Sequence, residues 1–543
     1  MTQIHKCGTL FTLLFFCVFD AINANAQWEW GVKSINSNSG SGTGMQIEKT
    51  LVDKSGNVYV LANFNCDTIT FGALSLYHGL ESVFMLKVDS SGNFLWVQNM
   101  NGAFGDMAFD NSGNIWVFGR YGDSSFTIGA FTLHQATPYQ PMSYLAKISQ
   151  AGSVLFAQNV APIGHSAYNG TEGGIGIDNS NNIYVTCDFH LPHITIGSTT
   201  LNNTDVSGVT TDVFIAKCDS SGNWIWATSF GGDSTDFPYS LAVTGTGDFY
   251  VSGQYSHSIT IADTTLTNDL AFFFSPFLIH YDKNGIALWA KRPFGFIMDM
   301  KTDIGGDLYT TSGFNSIGPL IVKYDLGGTV LWDPLVTNVF GTGTGLSIDQ
   351  CGNIWVCGSV SPNYTPADTF YLWGHTFSYS PGWDIVFLAE FDASGNSITA
   401  VEIPNGYIMK DIGTDNYSNV YIAAYSNPYE LLMSFGNDTF PVNQDYMFIA
   451  KYKYDTAGCN ETTSVPGIPV RTMFAIYPNP ASTTLTITAQ IPITQITISN
   501  LLGQTIFSNN YNAEKVEVAV AGWPNGVYFV KVNGNEVRKF VKE

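Results

Sequence analysis

The chain has 543 residues, of which only 12% are charged, and its formal net charge is −22 at pH 7. This negative charge, with lysines and arginines scattered along the chain, argues against a nucleic-acid or anionic-membrane binding surface. The length calls for two or more domains or one large repeat domain, and the 54 glycines and 38 phenylalanines favour short strands joined by tight turns over amphipathic helices.

The first 26 residues have the pattern of a secretory signal peptide. Lys6 supplies a positive charge, residues 10–19 form an apolar run, and Ala24-Asn25-Ala26 is a small-residue cleavage site before Gln27. The apolar run is too short to span a bilayer comfortably. We therefore predict cleavage after Ala26, signal-dependent export across the inner membrane and no transmembrane segment.

One eight-residue motif occurs seven times along the chain. Each copy opens with Asp or Thr, passes through residues that favour tight turns, and ends in an aromatic and β-branched run. Such a run after a turn is typical of a buried strand. The copies are residues 53–60, 110–117, 178–185, 244–251, 303–310, 349–356 and 415–422.

A second motif alternates with the first and predicts a strand, an Asp-x-x-Gly hairpin and another strand that usually ends in Trp. Some units add a further strand pair, as in residues 126–133 and 194–201. A unit of about four strands is one blade of a β-propeller. The second motif is clearest in residues 84–96 and 214–226, with looser copies in 144–156, 277–289, 320–332 and 387–399.

The seventh repeat is incomplete at its C-terminal end. Residues 448–454 supply the first strand of the second motif, but no Leu-Trp strand follows, whereas residues 27–32 resemble that missing strand. Pairing the two would close the ring and remove exposed sheet edges. We therefore predict an all-β chain with a seven-bladed β-propeller over residues 27–459, closed by its N-terminal strand.

Together the two motifs resemble the SBBP-type beta-propeller repeats of bacteria over roughly residues 27–460. This resemblance implies a propeller fold and a surface or binding scaffold, and it implies no particular activity.

A different pattern follows a linker at residues 460–470. Short alternating strands in residues 471–543 predict a small Ig-like β-sandwich. These residues resemble the C-terminal sorting domain of the type IX secretion system of Bacteroidetes, which implies transit across the outer membrane through that machinery, usual removal of the domain, and release or attachment at the cell surface. The residues that carry the resemblance are Tyr477, Pro478, Asn479, Pro480, Gly526, Tyr528, Lys531 and Lys539.

The motifs that would indicate chemistry are weak. The Asp-x-Ser-Gly-Asn turns lack the ligand spacing of a calcium loop. The pair His190 and His193, with His257 or His280 from adjacent blades, is a poor metal site, and six mature cysteines without a Cys-x-x-Cys pair leave both free thiols and a disulfide open. We therefore predict no catalytic residue, no metal and no cofactor.

Three functions remain open. The first is a monomeric scaffold or binding protein, at the cell surface or secreted, that holds a glycan or protein partner on one propeller face. The second is a polysaccharide-acting hydrolase or lyase, which a cluster of nonrepeated charged residues at the channel mouth would favour. The third is a structural component of the envelope or of an adhesin layer.

Overall fold

The computed structural model describes the chain from residue 26 onward with several gaps. In this part all regular secondary structure is β-strand, and no helical segment has the length and hydropathy to cross a membrane. The chain divides into two compact units, Met1–Thr456 and Ala457–Glu543. The described residues are 26–36, 46–77, 82–100, 103–135, 140–163, 173–268, 274–313, 320–334, 339–362, 369–378, 385–403, 408–425, 432–435, 438–441, 446–454, 474–477, 480–500, 504–533 and 536–543.

The first unit contains the strands β1 to β41. They are β1 (Ala26–Lys33), β2 (Ile35–Asn36), β3 (Gln46–Val52), β4 (Val58–Phe64), β5 (Thr68–Phe71), β6 (Leu74–Tyr77), β7 (Ser82–Val88), β8 (Phe94–Asn99), β9 (Ala103–Phe109), β10 (Ile115–Tyr121), β11 (Ser125–Ile128), β12 (Phe131–His134), β13 (Met142–Ile148), β14 (Val154–Pro162), β15 (Gly174–Ile177), β16 (Ile183–Phe189), β17 (His193–Ile196), β18 (Thr199–Asn202), β19 (Asp212–Cys218), β20 (Trp224–Phe230), β21 (Asp236–Val243), β22 (Phe249–Tyr255), β23 (Ser258–Ile261), β24 (Thr264–Thr267), β25 (Ser275–Tyr281), β26 (Ala287–Lys291), β27 (Phe296–Thr302), β28 (Leu308–Gly313), β29 (Ile321–Tyr324), β30 (Val330–Trp332), β31 (Val339–Ile348), β32 (Ile354–Pro362), β33 (Thr369–Leu372), β34 (His375–Ser378), β35 (Ile385–Phe391), β36 (Ser397–Ile403), β37 (Ile408–Thr414), β38 (Val420–Tyr425), β39 (Leu432–Phe435), β40 (Asp438–Pro441) and β41 (Met447–Tyr454).

These strands form seven four-stranded antiparallel sheets among the described residues, one for each turn motif. We number the sheets I to VII in chain order. Their strand orders, from the inside outward, are β3-β4-β7-β8, β9-β10-β13-β14, β15-β16-β19-β20, β21-β22-β25-β26, β27-β28-β29-β30, β31-β32-β35-β36 and β37-β38-β41-β1.

The first strand of every sheet contacts the first strand of the next, and β37 contacts β3, so the inner strands form a closed cycle around a central channel. Two-stranded hairpins are inserted between the second and third strands of most sheets, for example β11-β12 in sheet II. This topology is that of a β-propeller, and the predicted all-β propeller class is confirmed.

The N-terminal strand β1 lies at the outer edge of sheet VII, antiparallel to β41, with Gly31 opposite Ala450. Trp30 on this strand packs in one buried cluster with residues of sheet I, and its indole N–H donates to the carbonyl of Ser90 at 3.1 Å. A Cβ at Gly92, whose φ is +87°, would press against the same indole ring. The strand thus completes one sheet and also contacts the next.

In six of the seven motifs the turn is stabilised by the aspartate that opens it. The Asp53 carboxylate accepts from the backbone N–H of Ser55 at 2.9 Å and of Asn57 at 3.0 Å, and from the Asn57 amide at 2.8 Å. Position four of the motif takes the left-handed conformation, even where it is Asn181 or Ser418 instead of glycine. The strand that follows is buried, which stabilises the fold by about 1.5–3 kcal/mol for each large apolar side chain.

The second unit contains β42 (Phe474–Tyr477), β43 (Thr484–Asn500), β44 (Thr505–Ala519), β45 (Gly526–Val532) and β46 (Glu536–Lys542). They form one five-stranded sheet in which the long strands β43 and β44 shift register near residues 488–493. A core of aliphatic residues with Tyr528 and Phe540 lies within this unit. The Ig-like description of the unit stays a prediction.

Candidate functional site

The inner strands carry charged residues that differ from sheet to sheet. One position, four residues before the opening residue of each turn motif, is equivalent in all seven sheets, and in several sheets it directly follows a register shift. In sheet order it is occupied by Lys49, Asp106, Gly174, Ser240, Asp299, Gly345 and Asp411.

The three aspartates at this position join neighbouring sheets. Each carboxylate accepts from the backbone N–H of the following residue and from a backbone N–H of the next sheet. These carboxylates therefore connect neighbouring inner strands through hydrogen bonds. The donors are Met107 (2.8 Å) and Ile175 (3.1 Å) for Asp106, Met300 (3.0 Å) and Leu346 (3.0 Å) for Asp299, and Ile412 (2.9 Å) and Thr50 (2.8 Å) for Asp411.

Lys49 connects two of these aspartates across the channel. Its Nζ lies 3.3 Å from Asp299 Oδ1 and 3.4 Å from Asp411 Oδ2. Sheet I neighbours sheet VII, which carries Asp411, but it does not neighbour sheet V, which carries Asp299. The ion pair with Asp299 therefore spans the channel, and Lys301 adds a second cation at 3.3 Å from that carboxylate.

Burial and charge act in opposite directions on this cluster. Burial alone would lower the pKa of Lys49, but the carboxylates of Asp299 and Asp411 outweigh it and raise the pKa well above its ordinary value. Burial likewise opposes ionisation of Asp299, yet Lys301 and Lys49 lower its pKa. For Asp411 burial dominates, Lys49 opposes it and Asp299 repels, so the pKa of Asp411 is raised.

A second charged group lies near the start of the inner strands, at the end of the channel away from the turns. Glu48 and Lys410 occupy the residues skipped by the register shifts of β3 and β37, which are adjacent in the cycle. Burial raises the pKa of Glu48 to about 7, against the opposing charges of Lys410 and Arg120. Asn63 donates to Glu48 Oε1 at 3.4 Å. This is a carboxyl group that can hold or release a proton near neutral pH.

The turn aspartates that resemble part of a calcium loop are engaged by internal donors. Asp110, for example, accepts from the backbone of Ser112 and Asn114 and pairs with Lys147 at 2.8 Å. That lysine lies 5.2 Å from the centre of the Trp116 ring. The same arrangement of a lysine over an aromatic ring recurs in several sheets, so it belongs to the repeat.

The histidines considered as candidate metal ligands lie in different environments. His257 pairs with Asp233 at 2.8 Å on the surface, and His280 is buried and stacked on Tyr250 with 4.2 Å between ring centroids. His193 opens β17 and is exposed, and His190 precedes it. In the described part of the chain no three His, Cys, Asp or Glu side chains are grouped to hold a metal.

The cysteines divide into two classes. Cys66, Cys187, Cys218 and Cys357 are buried free thiols, and burial raises the pKa of the Cys218 thiol to about 12. Cys351 is disulfide-bonded. Cys459 lies outside the described residues.

The predicted sorting residues are spread over the second unit. Tyr477 ends β42 and is 47% exposed, whereas Tyr528 is buried in the core and donates to the Pro524 carbonyl at 2.8 Å. Gly526 opens β45, and Lys531 and Lys539 are exposed on β45 and β46, as is Pro480 before β43. Pro478 and Asn479 lie outside the described residues, as do Ala24 and the predicted signal segment up to residue 25. Ala26 and Gln27 begin β1.

Comparison with known proteins gives one family match. The family described as "Secretion system C-terminal sorting domain" matches residues 475–543. An uncharacterized WD repeat-containing protein, L264 of Acanthamoeba polyphaga mimivirus, is 24% identical over 554 aligned positions, which cover 78% of this chain. This chain spans only 38% of that protein's length.

Two solved structures show weak likeness. A protein of unknown function from Dyadobacter fermentans is 8% identical with a TM-score of 0.37 and covers 79% of this chain and 100% of its own. BamB from Moraxella catarrhalis is 10% identical with a TM-score of 0.34, at the same coverages. The sheet topology and the closed cycle of inner strands identify the fold as a propeller.

The family match and the sheet topology together show which kind of protein the chain is. It is a β-propeller protein that carries a type IX secretion sorting domain at residues 475–543, which directs it to the cell surface or the medium.

Proposed function

We propose that the propeller is a binding module for a glycan or protein partner, which reaches the cell surface or the medium after the signal peptide is cleaved behind Ala26. The proposed domains are the propeller at 27–459, the linker at 460–470 and the sorting domain at 471–543. The chain acts as a monomer without a cofactor.

The observation that carries this proposal is that the turn and channel aspartates accept hydrogen bonds from internal donors. The turn aspartates such as Asp53 accept two backbone N–H groups and one amide, and the channel aspartates join inner strands. A carboxylate that is saturated by internal donors has little capacity left for acid–base work on a substrate. Such a framework supports recognition by surface loops.

A ligand screen tests the binding proposal. The chain from Gln27 onward is exposed to a glycan library and thermal unfolding is followed, because a ligand at 100 times its Kd adds about 2.7 kcal/mol to the folded state. A shift without product formation supports a binding module. No shift with any glycan, together with no protein captured from the cell envelope, would contradict it and favour the structural alternative.

A second candidate function is a hydrolase or lyase acting on polysaccharide, and Glu48 favours it. A glutamic acid with a pKa of about 7, near Lys410 and Arg120, has the proton affinity of a general acid at neutral pH. Product analysis of every glycan that shifts the melting temperature tests this candidate. Turnover by the parent chain that falls at least about 100-fold in Glu48→Gln would support it.

Export has its own test. Deletion of residues 471–543 should leave the chain in the periplasm, since the type IX secretion machinery recognises its substrates by the sorting domain. Replacement of Lys515 by Gln in the same domain, at an exposed residue outside the predicted sorting set, is the matched control. Normal surface delivery of the truncated chain would contradict the assignment of residues 471–543.

A further inference from the structure

Two buried carboxylates meet between sheets III and IV. Asp212 opens β19 and Asp236 opens β21, and their relative exposures are 1% and 0%. The Asp236 backbone N–H donates to the Thr211 carbonyl at 2.9 Å, and the Thr211 hydroxyl donates to the Asp236 carbonyl at 3.0 Å. The two aspartates are therefore held side by side by the backbone.

Each carboxylate is satisfied on one oxygen only. Asp212 Oδ2 accepts from the Thr204 N–H and hydroxyl, both at 2.8 Å, and Asp236 Oδ2 accepts from the Gly232 N–H at 2.8 Å. The Oδ1 atoms of both aspartates are buried without a hydrogen-bond partner. A buried carboxylate oxygen with no donor is costly, so each atom needs a partner, which is either a bound proton or a metal ion.

Both carboxylates converge on the Gly231-Gly232 segment. A Cβ at Gly231 would overlap the Asp212 carboxylate, so only a glycine can pack this closely against that group. Gly232 in turn supplies the N–H to Asp236 Oδ2.

The surrounding charges add to the negative potential of this pair. Burial raises the pKa of Asp236 to about 8, and the carboxylates of Asp212 and Asp233 act in the same direction, while the Gly232 N–H and the Ser256 backbone oppose it. Burial also raises the pKa of Asp212, and Asp205 adds to that effect. Where Asp299 and Asp411 have Lys49, the charges that act on this pair are carboxylates.

We propose that Asp212 and Asp236 bind a calcium ion, with Oδ1 of each as a ligand. Calcium takes six to eight oxygen ligands and accepts backbone carbonyls and water among them. Two carboxylates are fewer than a tight site has, so carbonyls and water complete the shell. The affinity belongs in the range of extracellular modules, with a Kd of about 10⁻⁴–10⁻³ M.

Calcium titration of the chain from Gln27 onward tests the proposal. After chelator treatment, about 10 mM CaCl₂ should raise the melting temperature by a few degrees, and calorimetry should detect one binding event per chain. MgCl₂ should act more weakly, because magnesium requires stricter octahedral geometry. Asp236→Asn and Asp212→Asn should each remove the calcium shift.

Asp219→Asn is the matched control. It removes a half-buried aspartate from a hairpin of sheet III, and it should keep the full calcium shift. Equal melting temperatures of the parent chain in chelator and in CaCl₂, with no heat of binding, would overturn the proposal and leave a shared proton as the partner of the two oxygens. A full calcium shift in Asp236→Asn would overturn it as well. If the variants fail to fold, calorimetry on the parent chain decides.

Discussion

The channel cluster and the Asp212–Asp236 pair are two solutions to the same difficulty, which is a carboxylate removed from water. In the channel, Asp299 and Asp411 each accept backbone N–H groups and share Lys49. Between sheets III and IV, the two aspartates have donors on one oxygen each, and the charges acting on them are negative. The chain thus supplies the countercharge in the first region, and we infer that it leaves the second to an ion from solution.

Removal of the channel cation should have the largest effect. Lys49→Met leaves Asp411 buried and without the cation that pairs with it, so the free energy of unfolding should fall by about 3–5 kcal/mol. Denaturation with urea at pH 7 measures the change. A loss below about 1 kcal/mol would mean that the backbone N–H donors to Asp411 are enough to stabilise its buried carboxylate.

The Asp212–Asp236 pair should show itself by its pH dependence. The folded-state pKa of Asp236 is raised from 3.8 to about 8, so its stabilising contribution is complete below pH 3.8 and is lost as the pH rises towards 8. In chelator, the parent chain should lose several kcal/mol over this interval from this group. Asp236→Asn should lose much less and should therefore be the more stable chain at pH 8.

Calcium should reverse this ranking, because the ion favours the ionised pair in the parent chain. Unfolding curves at pH 5 and pH 8, with and without CaCl₂, measure both effects. Parallel pH profiles of the parent and Asp236→Asn in chelator would show that Asp236 is ionised at no cost, and the contrast with the channel would fail. Asp299 in the channel has the opposite sign, since its lowered pKa gives stability that is lost as the pH falls below about 4.

The sequence predicted the framework of the propeller because the framework repeats. Seven turn motifs correspond to seven four-stranded sheets, and β1 lies at the edge that the incomplete seventh repeat left open. The closing tryptophans do more than fill a core layer. The indoles of Trp96 and Trp332 donate to the carbonyls of Gln150 and Ala393 in the next sheet.

The channel cluster could not be predicted from the repeats, because its residues differ from sheet to sheet. The signal was nevertheless present at a fixed distance, since Lys49, Asp299 and Asp411 each lie four residues before a turn aspartate. Charged residues at one repeat position on inner strands mark the channel. Asp212 and Asp236 have no such mark, because they meet only through the packing of two different sheets.

A buried ion pair of the repeat itself should have an intermediate effect. Lys147 lies 2.8 Å from Asp110, as Lys49 lies close to Asp411, but Asp110 also keeps the N–H groups of Ser112 and Asn114. Lys147→Met should therefore cost about 1–2 kcal/mol, measured by urea unfolding at pH 7. A cost equal to that of Lys49→Met would show that local amide donors do not replace a cation.

The smallest effect should come from the second cation of the channel. Lys301 also lies 3.3 Å from Asp299, the same distance as Lys49, but its side chain is 38% exposed whereas that of Lys49 is 16% exposed. Water screens the Lys301 pair, so Lys301→Met should cost less than about 1 kcal/mol. Urea unfolding at low and high salt measures this cost, and salt should reduce it further. Both lysines lie at the same distance from the same carboxylate. A large difference between the two losses of unfolding free energy would therefore show that the stabilisation comes from the burial of Lys49 and from its ion pair across the channel.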